Sequence, residues 1–355
     1  MLRNKKTLIA LSLIPQYFLI KVLSNFPELI EQYYSLGVYP FISKIFRFNL
    51  GWLPFSFGDL IYFFTPIYII QWGYKNRKRI IKDSKNWLID VTAAFAIIYF
   101  AFHFFWGLNY YRQPLHENLN LKANYSTDQL VLVTKKLIET SNAIHLKITK
   151  NDTIKVVIPY TKNSILNSAP LGYKNLKKTF PDLKYHPESI KNSLFSYPLT
   201  YMGFSGYLNP LTNEAHIDYL IPIYKFPTTI THEIAHQLGY AAENEANFIG
   251  CLATINHDDD YFKYTGYTFA LQFCLNEIYN RDKLLFNKMI SSINKGILKN
   301  YEDVRVFWQA HQNPTEPFFK LFYSNYLKAN KQSKGIESYS YVVALLVNYL
   351  ENNAL

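Results

Sequence analysis

Residues 228–239 read Thr-Thr-Ile-Thr-His-Glu-Ile-Ala-His-Gln-Leu-Gly. The pattern predicts a helix that follows Pro227, is capped by Thr228 or Thr229, and ends at Gly239. His232 and His236 stand at i and i+4, so they lie one above the other on one helical face. Two imidazoles so placed can bind one zinc ion (Zn2+). Glu233, beside the first, can take a proton from water whose pKa such an ion lowers to about 7. Ile230, Ile234 and Leu238 cover the buried side of this helix.

A catalytic zinc site needs three protein ligands and an open position. Downstream, Glu243-Asn244-Glu245-Ala246-Asn247 opens a second helix, and a reversal at Gly239 would bring its first turn against the end of the motif helix. Either carboxylate is a candidate third ligand. Glu243 is preferred because Asn247 shares its face and can orient a liganding imidazole. Glu245 is the alternative ligand.

Working outward, residues 111–355 contain no long apolar run and read as one α+β domain with a small sheet and a mainly helical C-terminal part. Ser126-Thr127-Asp128 caps a helix of about 127–147. Ile154–Ile158 and Ala215–Leu220 read as strands; resemblance to the zincin metallopeptidases, whose edge strand before the motif helix pairs with an extended substrate, implies that role for the second. The stretch containing Pro170, Pro181, Pro187 and Pro198 reads as loop. Among other candidates, His216 reads as structural. Tyr240, Tyr261 and Tyr264 are possible oxyanion donors. Cys251 and Cys274 pack as small hydrophobes or form one disulfide.

The first 110 residues differ in character. Apolar runs at about 52–72 and 87–108 reach the roughly 20 residues a bilayer core requires, with aromatic residues at their ends. The run at about 7–26, interrupted by Pro15, Gln16 and Lys21, reads as an uncleaved span rather than a signal peptide because no small-residue cleavage site follows. The reading is therefore a transmembrane region, 1–110, of about three helices. Asp59 and His103 are candidates to pair between the second and third.

The net charge of +11 invites a nucleic-acid reading, but its placement excludes one. Arg3, Lys5 and Lys6 contribute three charges and residues 75–85 a net five, which leaves three for the rest of the chain. That asymmetry puts the N-terminus and the 75–85 loop in the cytoplasm and residues 111–355 on the extracytoplasmic side.

The zinc stretch resembles the gluzincin branch of the zincin metallopeptidases, in which the first Glu of an E-x-x-A-N/D pattern follows H-E-x-x-H. The resemblance implies His232, His236 and Glu243 as ligands, Glu233 as general base, and Asn247 as an orienting residue. The chain also resembles an uncharacterised family of bacterial multi-pass membrane proteins of that superfamily. Trp106-Gly107-Leu108-Asn109-Tyr110-Tyr111-Arg112, the Gly206-Tyr207 turn leading to Glu214-Ala215, and the stretch from His232 through Phe248 carry that likeness. One departure is the spacing, since only six residues separate His236 from Glu243.

The expectation is a zinc metallohydrolase anchored in the bacterial cytoplasmic (inner) membrane, acting on a protein or peptide substrate. A non-catalytic membrane scaffold or sensor that keeps a zinc site is the alternative. Intramembrane proteolysis is disfavoured because Tyr224-Lys225-Phe226-Pro227 and Glu243-Asn244-Glu245 flank the motif with polar groups.

Overall fold

The computed structural model describes residues 2–332 and 341–353. The N-terminal apolar runs form α1 (Leu2–Leu23), α3 (Phe57–Asn76) and α4 (Ser84–Phe105), with α2 (Tyr39–Leu50) between the first two. Two helical segments, Lys5–Leu23 and Ser84–Phe105, are long and apolar enough to cross a bilayer, rather than the three expected. They pack against each other, and large side chains such as Leu8, Phe18, Phe95 and Ile98 stay exposed on their outer faces. A water-soluble surface rarely carries so continuous an apolar patch.

The middle run departs from expectation for a local reason. Trp52–Phe55 form turns, and the Ser56 hydroxyl caps α3 by accepting from the Asp59 amide at 2.8 Å. Gly58 and Asp59 are then buried in the C-terminal part of the chain, so the first turn of α3 belongs to the fold beneath. Its far end joins α1 and α4 at their basic end, where Asp90 accepts from Lys6 at 2.7 Å and Arg79 at 2.9 Å.

The segment between the first two runs, read as a loop, is a π-helical stretch (Ile30–Val38) running straight into α2. Tyr39, Ser43 and Arg47 recur every four residues and form the buried face of α2. Arg47, which a loop reading counts as a surface charge, is buried and donates to the Pro187 carbonyl at 2.7 Å.

Beyond Tyr111 the chain is mostly helical. α5 (Thr127–Thr149) begins with the expected cap, a reciprocal box between Ser126 and Gln129. The sheet has three short strands, β1 (Ile190–Asn192), β2 (Gly206–Leu208) and β3 (Ala215–Ile217), in the order β1-β3-β2. β1 runs parallel to β3, with Lys191 opposite His216; β2 runs antiparallel, with Tyr207 opposite the same residue.

Two strand expectations are corrected. Ile154–Ile158 forms no strand, because the amide and carbonyl of Val156 are bonded by the Asn300 side chain at 3.1 and 3.0 Å. β3 is central rather than a free edge, because β1 arises from the proline-containing stretch read as loop.

The motif helix α6 (Phe226–Gln237), α7 (Glu243–Ile255) and α8 (Asp260–Arg281) pack around one apolar core with α5. α9 (Lys295–Ala310), α10 (Glu316–Ala329) and α11 (Val342–Asn352) complete the described chain. Cys251 and Cys274 are buried free thiols within α7 and α8.

Candidate metal centre

α6 is capped at Lys225, three or four positions before the threonines expected to cap it, so Thr228 and Thr229 lie inside its first turn. Their hydroxyls donate back to the Lys225 carbonyl at 3.1 and 2.9 Å. At the other end Gly239 adopts φ +91°, a left-handed conformation that costs a side-chain-bearing residue energy. The Tyr240 amide then closes onto the Ala235 carbonyl at 3.1 Å, and the chain reverses into α7.

Gly250 permits the next step. A Cβ there would lie 2.7 Å from the His232 amide nitrogen, so α7 crosses α6 backbone against backbone. This approach brings the first residue of α7, Glu243, under the two histidines.

His232 Nε2 lies 3.3 Å from Glu243 Oε2, and His236 Nε2 lies 3.8 Å from Glu243 Oε1. One ligand atom from each residue falls within 4.8 Å of the others. Tetrahedral ligands on bonds of about 2.0–2.1 Å stand roughly 3.3 Å apart, so the trio has the dimensions of a zinc site. Among the described residues, Glu233 Oε2 and Glu243 Oε2 are buried without hydrogen-bond partners, as expected of polar atoms built around an ion. The residues present therefore fit Zn2+.

The electrostatics follow from burial and from Glu243. Burial drives the His236 pKa down to about 4, which leaves a neutral imidazole. Burial works the same way on His232, but the adjoining Glu243 carboxylate outweighs it and raises the pKa. Glu243 itself, although desolvated, is held at about 2 by the two histidines and by Tyr323. Burial pushes Glu233 up to about 8.

The sequence-derived candidates are thus placed as follows. His232, Glu233, His236, Glu243 and Asn247 line one cavity of about 630 Å³. Glu245 is elsewhere: its carboxylate accepts from the Leu115 amide at 2.7 Å and faces Arg112, because two positions along a helix turn a side chain through about 200°.

His216 is wholly buried, 2.5 Å from the Ser56 hydroxyl and stacked on Tyr207. Asp59 and His103 do not pair. Asp59 accepts from Tyr207, Ser193 and the Leu194 amide, whereas His103 Nδ1 meets the Tyr99 carbonyl.

Tyr240, Tyr261 and Tyr264 do not line the cavity. Tyr240 lies under the Arg112 guanidinium, Tyr261 packs on Tyr160, and Tyr264 donates to Asn300. Sequence reasoning missed Tyr323 of α10, which donates to Glu243 Oε1, as well as Tyr326, Tyr110 and Tyr62 in the cavity wall. In a chain with 30 tyrosines nothing local distinguishes them.

The N-terminal region holds the site. The last carbonyls of α6 accept from Trp106 Nε1 (3.1 Å, at His236) and from Tyr39 and Ser43 (2.9 and 3.0 Å, at Gln237). Arg112 donates to the Gly239 carbonyl at 3.0 Å while paired with Glu31 at 2.5 Å.

What these elements define is a mostly helical protein with a His-Glu-x-x-His helix and a second carboxylate, Glu243, brought to it, buttressed by α2 and residues 106–112 beside two helices long and apolar enough to cross a membrane. The chain belongs to the family described as Protein of unknown function (DUF3810), which it matches over residues 34–347. No curated protein and no solved structure matches it.

Proposed function

We propose that this protein is a membrane-anchored zinc metallohydrolase of zincin type, acting on peptide bonds. The observation that carries the reading is the convergence of His232 Nε2, His236 Nε2 and the Glu243 carboxylate within 4.8 Å, with buried Glu233 in the same cavity. When bound, zinc supplies Lewis acidity toward a scissile carbonyl and lowers the pKa of water.

The chain's own groups do the rest. Glu233 accepts a proton from the attacking water and returns it to the leaving amine. Tyr323, hydrogen-bonded to Glu243, holds that ligand in position, and Asn247 lies beside His232. β2, the edge strand along the cavity, presents its backbone for an extended peptide. The cluster of Lys6, Arg79 and the 75–85 segment marks the cytoplasmic end of the helices, and the cavity lies on the extracytoplasmic side of the inner membrane.

The test uses the full-length chain in detergent, because Tyr39, Ser43 and Trp106 cap the motif helix and a fragment from residue 111 lacks all three. The expected zinc content is about one per chain, abolished in His232→Ala and retained in Glu233→Gln, with peptide hydrolysis lost in both. Zinc that is absent, or indifferent to His232→Ala, removes the metal-centre reading. A Glu233→Gln protein whose cellular phenotype matches wild type leaves the scaffold or sensor role instead.

A further inference from the structure

Lys225 is the last residue before α6 and keeps right-handed helical backbone angles (φ −84°, ψ −16°), so it extends the spiral of the motif helix. It stands seven positions before His232, which places it on the same face about 10.5 Å away along the axis. It lines the same cavity as His232, Glu233, His236 and Glu243. Its ammonium sits 4.6 Å over the Phe269 ring and, among the described residues, makes no ion pair or side-chain hydrogen bond. Phe273, packed on Phe269, continues an apolar wall, and Phe195 and Phe204 line the same cavity. Of the two carboxylates that line the cavity, Glu243 belongs to the candidate metal cluster and Glu233 is the residue beside its first histidine.

An ammonium in an apolar cavity without a counter-charge is poorly solvated and attracts any anion that enters. We propose that Lys225 is a specificity-determining residue that recognises a carboxylate on an otherwise apolar peptide substrate. This inference rests on the hydrolase reading of the same cavity. At about 3.3 Å per extended residue, and with the reach of a lysine side chain, the carboxylate lies within about three residues of the bond at the metal centre. Two sources present the same chemistry there: the free C-terminus of a peptide and the side chain of an internal Asp or Glu.

The two readings fail separately if binding is measured apart from turnover. Full-length Glu233→Gln protein in detergent, loaded with zinc, is titrated with dansylated apolar pentapeptides. One set ends in a free carboxylate, a second is amidated, and a third is amidated and carries one Glu or Gln at successive positions. The expected result is a preference of about ten- to a hundredfold for the anionic member of one pair, falling to about one in a Lys225→Met, Glu233→Gln background. Preference for the free C-terminus identifies the first source, and preference for internal Glu the second.

Equal binding of charged and neutral peptides, or a preference that survives Lys225→Met, overturns the proposal. Preferential binding lost with Lys225→Met upholds it even where Glu233-competent protein hydrolyses none of the peptides. That last outcome would count against the hydrolase reading alone.

Discussion

His236 gives its Nδ1 proton to the main-chain carbonyl of Tyr240 at 2.7 Å. A carbonyl can only accept, so this bond fixes the tautomer and leaves the Nε2 lone pair toward Glu243 and the cavity. The carbonyl is held there by the left-handed Gly239, whose added Cβ would lie 2.9 Å from the Tyr39 ring. Gly239→Ala is therefore expected to cost at least about 1–2 kcal/mol in backbone strain and to misdirect His236. The measurement is a thermal melt with and without a zinc chelator. A variant that melts and keeps zinc like the parent would contradict this account.

Tyr323 reaches Glu243 from α10, some eighty residues away in sequence. Partners that orient a ligand typically control metal affinity by about 10- to 100-fold. Tyr323→Phe should accordingly weaken zinc retention by that order in a competition with a chelator, without altering the circular-dichroism spectrum. Unchanged affinity would assign Tyr323 to the cavity wall only.

Arg112 and Glu31 form a two-pronged pair at 2.5 and 2.7 Å, both side chains nearly free of solvent, beneath the turn that follows the motif helix. Removing one partner strands the other charge, at a cost of about 3–5 kcal/mol. Glu31→Gln or Arg112→Met should lower the melting temperature sharply, whereas the double replacement should recover part of the loss. Additive losses in the double variant would show that the two residues act independently.

Burial drives the Lys225 pKa down from 10.5 to about 8. Between those values the unfolded chain holds a proton that the folded chain has released, so folded stability rises with pH through that window. Below about pH 8 the protonated ammonium is a burden on the fold. Lys225→Met should therefore be more stable than the parent at neutral pH, with the gain shrinking as pH climbs from 8 toward 10.5. Melts at fixed ionic strength check this, and a gain that grows with pH would refute it.

Much of the centre was legible because its information is local. The i, i+4 pair on α6, the glycine at its end and the carboxylate at the start of α7 are consequences of helical period and turn chemistry. The short interval from His236 to Glu243 looked like a departure from the gluzincin pattern. It is bridged by one left-handed glycine and by the bare face of Gly250. Glu245 was separable from Glu243 by helical rotation, and its bond to the Leu115 amide completes the distinction.

Less legible were the elements whose partners are distant. Ile154–Ile158 has strand composition, but its backbone is satisfied by one asparagine side chain from α9. Strand β1 hides among prolines because a three-residue strand has too little period to read, and its presence turns β3 from an edge into a centre. The run at 52–72 has the composition of a span, yet Asp59 draws its first turn into the domain through Tyr207, Ser193 and Leu194.

The sequence by itself determined the motif helix, its pair of histidines, the adjoining glutamate and the asymmetric placement of positive charge, because each depends on residues within a few turns of one another. Only the tertiary structure decided that residues 30–50 buttress the site rather than link two helices. It also selected Tyr323 to hold Glu243 and brought Lys225 into the same cavity, where among the described residues it makes no ion pair. These facts depend on which surfaces meet when apolar area is buried, and no local periodicity encodes them.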